Sequence, residues 1–515
     1  MPPTPRTRII RGGVAACGAL TLTVALSACG SSDTTGSSGT HNLTLTLTGA
    51  PTSLNPWNNR AGYEVMDAPY DTLIHYGSDG RLEPWLATSW KFTDPKTLEL
   101  KLREGVKFTD GTAFDADAVK ANFQFAIDNK SGASDQEFLQ NIGGMDVVDA
   151  TTVNLHLKEP NPALPYDFSQ FSGNMVSPKA LTSPKSLDTA PVGTGPYVLD
   201  KTATRTGLSY VFKRNPDYWA KDKKAFPFDK VTYTIATDPT AATNAAKAGQ
   251  TDTLLLNPGD EVPAFKTVTS AAGSNSGFTG VWVDITGSNQ KALADVRVRQ
   301  AMNYAIDAKK IADTVYSGAA TPVSAVPVVK GDPGYSDKLA SAYTYDVAKA
   351  KSLLAAAGYA KGFSIKMLSL PIADQYAQAV AGYLKAVGIT VKVENHSTDL
   401  VQQLQSGTFP VGLLLQRLTG DLGQDFEGLF TANAFFNVKK TSDPKTDSLL
   451  QEAARTTDTA ARNGIYQTLA LHAAQQSWFL GALELKTVTA YDAKKLSVSP
   501  PPRGQVHLYS YQLPS

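Results

Sequence analysis

Residues 81–123, RLEPWLATSWKFTDPKTLELKLREGVKFTDGTAFDADAVKANF, carry two backbone periods in one stretch. Leu98-Glu99-Leu100-Lys101-Leu102 alternates apolar with charged residues, the pattern of a strand with one buried face. Asp94-Pro95-Lys96 just before it has turn chemistry, because proline fixes φ and aspartate bonds nearby backbone, so 88–102 reads as a hairpin. A helix then follows from Asp115 to Asn129. Asp115 is its N-cap, and Val119, Phe123 and Ala126 share one face.

The same mixture extends in both directions. Leu43 to Leu47 alternates as an opening strand, Val153 to Leu157 alternates again, and Lys158 to Pro165 is a proline-rich loop. Later segments turn towards helix. Val296 to Val315 places Val298, Met302, Ala305, Ile306 and Ala312 near a 3.6-residue period and reads as one helix. Asp346–Ala357 stops at Gly358, and Ile372–Val387 stops at Gly388, glycine being the residue that tolerates the left-handed C′ position. The alternation Ile389-Val391-Val393 follows, and helix–glycine–strand is half of an α/β unit. Asp458 to Phe479 reads as another long helix. The chain is α/β throughout, without an internal repeat.

The first forty residues have a different physics. Arg6, Arg8 and Arg11 precede an apolar run, Val14–Ala28, too short for a comfortable bilayer span, and the run ends in Leu26-Ser27-Ala28-Cys29. This tetrapeptide resembles the lipobox of bacterial lipoproteins, which implies cleavage before Cys29 and diacylglyceryl transfer to its thiol. Two acyl chains anchor stably where one does not. Gly30–Thr40 (GSSDTTGSSGT) has nothing to bury and reads as a flexible leash. Residues 1–28 are therefore read as a signal peptide and 29–40 as the lipidated cysteine and its linker. Removal of 28 residues from 515 leaves 487, well past the roughly 250–300 at which one core stops growing.

Both cysteines, Cys17 and Cys29, lie in the export region, so the body has no internal disulfide. A net charge of +1 argues against nucleic acid, which calls for clustered basic residues. The 20 Tyr, 20 Phe and 6 Trp suffice for core and for an aromatic-lined pocket. No cofactor is called for.

Five ordered motifs make the reading specific. Residues 81–123 resemble the signature region of extracellular solute-binding proteins of the peptide/nickel class, family 5, through Pro84–Trp90, Leu102–Gly111 and Ala116–Val119. Ser53-Leu54-Asn55-Pro56 stands near the start where the family has Leu-Asp-Pro. Val192–Tyr197 matches its Gly-Thr-Gly-Pro-Tyr turn and is followed by Arg214–Trp219 (RNPDYW). Asp295–Asp307 (DVRVRQAMNYAID) and Ala348–Tyr359 match two of its helices. The residues themselves suggest mainly structural roles: Gly193 and Gly195 for tight or positive-φ turns, Trp90 and Trp219 for packing between layers, Arg297 and Arg299 for ion pairs.

The resemblance implies a periplasmic-binding-protein-like type II fold with two lobes and an extra inserted domain (cluster C). It also implies closure around a ligand. On this basis residues 41–75 and 186–280 are assigned to lobe I, 76–185 to the insertion, 281–482 to lobe II, and 483–515 to a return into lobe I. The implied protein is a monomer, exported, lipid-anchored at the outer face of the cytoplasmic membrane, and partnered with ABC permease subunits and their ATPases.

Peptide-binding members carry an aspartate on the second lobe for the ligand's ammonium, after a Trp-x-x-Asp segment. The matching stretch is Gln416–Asp425 (QRLTGDLGQD), which makes Asp421 the expected ammonium partner; its other reading is a helix cap. Leu418 replaces the tryptophan wall, and Arg417 beside it suits a carboxylate, its other reading being a surface or salt-bridge residue. Tyr63 and Trp282 are weaker candidates for lining the cleft, with core packing as the alternative. The ligand is expected to be an oligopeptide or dipeptide-like solute, with a metal chelate or oligosaccharide as the alternative on the same fold. A secreted hydrolase and a surface sensor remain open. Against the hydrolase stand the lack of Gly-x-Ser-x-Gly, His-Glu-x-x-His and Gly-x-x-x-x-Gly-Lys signatures and the scattering of the six histidines.

Overall fold

Leu43, Leu45 and Leu47 point inward from the first strand, β1 (Asn42–Leu47), as the alternation requires. In the computed structural model the described residues are 41–514 except 130–133, 221–224, 257–259, 261 and 268, and without the side chains of 134–137, 275 and 276. The expected signal segment, Cys29 and the leash lie outside the described residues.

The stretch that opened the sequence reading forms the hairpin β2 (Ala87–Asp94) and β3 (Thr97–Leu102), then helix α1 (Ala116–Asp128). Leu98 and Leu100 are fully buried, and the Asp115 carboxylate accepts from Ala118 N at 2.9 Å as the N-cap. A second hairpin, β4 (Ile142–Asp149) and β5 (Thr152–Leu157), completes a four-stranded antiparallel sheet in the order β2-β3-β5-β4. The proline-rich loop leads into a short helix, α2 (Leu164–Asp167), and Phe168 beyond it stacks on Phe123 of α1 with ring centres 5.0 Å apart. This sheet has no core of its own. Its inward residues form one continuous apolar cluster with those of β1 and of the strands next described.

The main sheet has eleven strands. Its first half comprises β1, β6 (Tyr197–Leu199), β7 (Ser209–Arg214), β8 (Lys230–Ile235) and β9 (Thr253–Leu256). The long β10 (Thr269–Val283) follows. Its second half alternates with helices: α3 (Val296–Ala305), α4 (Ala308–Val315), α5 (Val347–Ala356), β11 (Phe363–Ser369), α6 (Asp374–Lys385), β12 (Ile389–Asn395) and β13 (Val411–Arg417). Then come α7 (Leu422–Phe430), α8 (Thr459–Gln476) and a second long strand, β14 (Phe479–Asp492). The order across the sheet is β12-β11-β13-β10-β14-β9-β1-β8-β7-β6, with Ala320–Pro322 pairing on β14. β10 and β14 are antiparallel and long enough to belong to both halves. One stretch of β10 pairs β13 from Gly277 onward, while β14 pairs β9 from Val488 to Tyr491. The fold is thus bilobed, α/β and periplasmic-binding-protein-like, with two strands crossing between the lobes.

Several local expectations need correction. The single helix expected over 296–315 is two. Ile306 is extended (φ −103°, ψ 121°), and Asp307 caps α4 by accepting from Lys310 N at 2.9 Å. Apolar spacing continues across the break, so periodicity alone could not see it. The helix expected to reach Phe479 ends at Gln476. Ser477 is left-handed (φ 52°), which turns the chain so that Phe479 opens β14.

Gly193 and Gly195 do not have positive φ. They allow close approach instead: a Cβ on Gly193 would lie 2.2 Å from Pro69 O, and one on Gly195 2.4 Å from the Pro69 carbonyl carbon. Arg297 does pair with Asp295, at 2.6 Å, but the buried Arg299 binds the carbonyls of Leu293, Ala294 and Gln476 rather than an acid. Gly358 and Gly388, both at φ 88°, terminate α5 and α6 as expected.

Candidate ligand-binding site

β10 and β14 cross between the lobes beside two adjoining cavities. The first, about 360 Å³, is largely apolar and lies against Leu45, Leu47, Leu255, Phe278 and Leu485. Its polar edge includes Thr46, Thr253, Thr487, Glu64 and Arg417. The second, about 640 Å³, is bounded on the lobe I side by Tyr63, Tyr166, Asp167 and Gln170, and on the other by Leu418, Thr419 and Gln424. Gln416, Arg417, Gly504 and Gln505 line both. Cavities of a few hundred Å³ suit small ligands, and a mostly apolar lining with a few polar anchors is the usual composition.

Arg417 ends β13 and stands exposed on the partition between the cavities. With its amide oxygen turned towards the guanidinium, Gln505 accepts from Arg417, Nη1 at 3.2 Å. Glu64, on the 3₁₀ turn Tyr63–Asp67, feels the Arg417 charge from the opposite lobe; burial nonetheless pushes its carboxyl up, with Arg417 opposing.

Tyr63 is in the lining of the second cavity. Its ring stacks on Phe171 at 5.4 Å in the wall of the second cavity. Trp282 is not. It is buried in the lobe II core, with its indole so close to Gly412 that a Cβ there would lie 2.6 Å from the ring. Phe278, four residues earlier on the same face of β10, packs in that same core, and Trp282 lines neither cavity; this corrects the expectation for Trp282.

Asp421 caps α7, accepting from Gln424 N at 3.0 Å. Burial raises its carboxyl, opposed by that bond and by Arg462. It faces neither cavity but a third crevice, with Glu427, Glu159 and Tyr466. The Thr419-Gly420-Asp421 stretch works as a helix entry. Thr419 Oγ1 accepts from Asp421 N at 3.1 Å and meets the Asp425 carboxylate at 3.0 Å. Gly420 (φ +98°) leaves room for Tyr166, whose hydroxyl would lie 2.3 Å from a Cβ there. Sequence reading did not find Asp167, Glu64 or Gln505. Each sits on a short turn or an irregular terminal segment, where no periodicity marks the side facing the cleft.

The family of bacterial extracellular solute-binding proteins, family 5 (middle region), matches residues 81–434. The chain belongs to this family. This solute-binding protein is 29% identical over 464 residues to the glutathione-binding protein GsiB of Shigella dysenteriae serotype 1, covering 85% of this chain and 88% of that one. Among solved structures it is similar to HbpA2 of Haemophilus parasuis (22% identity, TM-score 0.77, 92% of this chain and 100% of the other). It is also similar to NikA of Brucella suis, solved with Fe(III)-EDTA (23% identity, TM-score 0.76, 92% and 99%).

Within the solute-binding protein the lobes meet across the second cavity. Gln424 Nε2 on α7 donates to both oxygens of Asp167 on α2, each at 3.0 Å. Beside this contact, Arg503 on the C-terminal segment is buried among Asp332 (2.9 Å), Asp425 (3.2 Å) and Glu484, and donates to Pro327 O at 2.7 Å. Among the described residues, no group of three or more His, Cys, Asp or Glu side chains is placed to hold a metal ion.

Proposed function

We propose that this protein is the substrate-binding lipoprotein of an ABC importer, taking a small peptide-like solute into the two cavities and presenting it, enclosed, to the permease. The observation that carries this is the position of Arg417 on the partition both cavities share, where its planar fork is available to a ligand carboxylate. A carboxylate there would take over the bond that Gln505 makes. The apolar first cavity would hold a side chain, and the lobe I wall, with Tyr63, would close over the rest. The chain acts by binding, with no chemical step.

The similarity to glutathione-binding proteins makes glutathione, a tripeptide with two carboxylates and one ammonium, the first probe. Export and attachment through Cys29 supply the place of action, and we set the lobe boundaries at 280/281 and 482/483, inside the residue ranges of the two long strands. The test is calorimetric titration of the purified protein with glutathione, di- to hexapeptides, oligosaccharides and metal chelates. One-to-one binding of at least one peptide, weakened by C-terminal amidation, is expected. Binding of sugars or chelates alone would replace the peptide reading with one of the alternatives on the same fold.

A further inference from the structure

Asp167 is about nine-tenths buried, yet it lines the second cavity. Its carboxylate is bonded, among the described residues, only by neutral groups: the Gln424 amide, at 3.0 Å to each oxygen, and the Asn161 side chain. Among the described residues no Lys, Arg or His pairs with it, and the other charge that acts on it, Asp421, has the same sign. Without a counter-charge a buried carboxylate is costly, so burial raises the Asp167 carboxyl well above its ordinary range, and a cation placed against it would restore the ionised form. Glu64 at the first cavity differs, because it feels Arg417. Asp421, the acid expected from the sequence to meet an ammonium, is committed to the start of α7 and faces another crevice. Asp332, Asp425 and Glu484 already share Arg503. Asp167 is therefore the cleft carboxylate whose counter-charge is still to come.

We propose that Asp167 is the specificity-determining residue for a cationic nitrogen on the ligand, so that the cargo carries an ammonium for the lobe I wall as well as a carboxylate for Arg417. This rests on the reading of the protein as a receptor for peptide-like solutes and narrows it to zwitterions with a free amino group. The ammonium would displace or join the Gln424 amide, which now spans the lobes at that point. Cargo of the right charge would thereby replace a protein–protein bond across the cleft with a stronger, charge-assisted one, favouring the closed arrangement.

The experiment is calorimetric titration of native protein and the Asp167→Asn variant with glutathione, triglycine, their N-acetylated forms and Fe(III)-EDTA. N-acetylation is expected to weaken binding to the native protein about 30-fold, the loss typical of one charge-assisted contact. Asp167→Asn should weaken the free-amine peptides by the same factor and the N-acetylated forms no further, so that the two changes are not additive. If Asp167→Asn still prefers the free amine as strongly as native protein, the ammonium sits elsewhere and the proposal fails. The native-protein arm decides even where the variant does not fold, because indifference to N-acetylation also overturns it. Binding of Fe(III)-EDTA but of no peptide overturns it too and leaves solute capture standing. No binding by any probe overturns both.

Discussion

Trp85 Nε1, Trp219 Nε1 and Tyr218 Oη converge on one buried carboxylate, Asp71, at 2.8, 2.9 and 2.8 Å. Burial lifts this acid to about 6 despite the three donors. Two motifs far apart in the chain, the run containing Trp85 and the RNPDYW segment containing Tyr218 and Trp219, therefore share a single physical purpose. Neither motif contains Asp71, so the sequence showed the donors and hid the acceptor. Asp71→Ala should leave three buried donors without a partner and lower the free energy of unfolding by about 4 kcal/mol. Urea denaturation measures this, and Asp71→Asn, which keeps an acceptor oxygen, should lose clearly less. Arg417 makes the contrasting case: it is exposed, and among the described residues its side chain is bonded to Gln505 alone. Arg417→Ala should reduce affinity for carboxylate-bearing peptides about 30-fold while shifting the melting temperature of the ligand-free protein little, since an exposed arginine contributes little to folding. Equal affinities in calorimetry would remove Arg417 from the site. Residue identity singled out Arg417 as a candidate because its chemistry is distinctive. Asp167 and Asp421 are the same residue type, and only their surroundings separate a cleft carboxylate from a helix cap.

Secondary structure is where the sequence speaks most directly. Strict alternation located β1, β3 and β5, the aspartate cap located the start of α1, and terminal glycines located the ends of α5 and α6, because these signals depend on near neighbours in sequence. The misreadings occurred where a remote contact decides. The break between α3 and α4 is fixed partly by Asn303, whose amide donates to Phe479 O at 2.9 Å and whose oxygen accepts from Gly481 N at 3.2 Å, tying the helix end to β14. The Val192–Tyr197 turn shows the same dependence. Gly195 N donates to Pro69 O at 3.1 Å and Tyr197 N to Ala68 O at 2.9 Å, so two segments more than a hundred residues apart lie backbone against backbone. Gly195→Ala should therefore cost about 3 kcal/mol or more, the scale of overpacking a rigid contact. At Gly105 (φ +74°), where a Cβ meets nothing within 4 Å, alanine should cost only about 1 kcal/mol of conformational strain. Paired denaturation curves test this ordering, and a milder effect at Gly195 than at Gly105 would contradict it.

Across the whole molecule, one buried charge cluster joins the C-terminal segment to both the crossing strand and lobe II. Arg503 faces Glu484 of β14, Asp425 of α7 and Asp332, one cation against three carboxylates, and Glu484 Oε2 is buried without a hydrogen-bond partner among the described residues. Burial drives Glu484 up to about 8, with the Asp332 and Asp425 charges adding to the shift and Arg503 opposing it. A carboxyl raised on folding is protonated in the folded chain at pH values where the unfolded chain has already released the proton. Stability consequently falls as pH rises from the unfolded value near 4.5 to about 8, and levels off above. Asp71 and Asp425, both lifted to about 6, act in the same direction but complete their change at lower pH. His75 acts in the opposite direction, since burial depresses its pKa, and its contribution ends near the ordinary histidine value of 6.5. Asp167, whose carboxyl burial also raises well above the ordinary value, acts in the same direction as Glu484, so the part of the decline between about 6.5 and 8 that belongs to Glu484 is the part its substitution removes. The melting temperature of the protein should decline across that interval, and Glu484→Gln, which leaves Arg503 with two carboxylates, should flatten the decline and be relatively most stabilising above pH 8. A variant whose melting temperature follows the native pH profile between 6.5 and 8 would show that Glu484 is ionised throughout, held so by Arg503. Removing the cation instead, as in Arg503→Met, should destabilise by about 3–5 kcal/mol at pH 8, because three buried acids would then face one another. Raising the acidity of the medium should restore part of that loss, by protonating those acids. Such a recovery is the sign that charge, and not lost packing, is what Arg503 contributes where the two lobes meet.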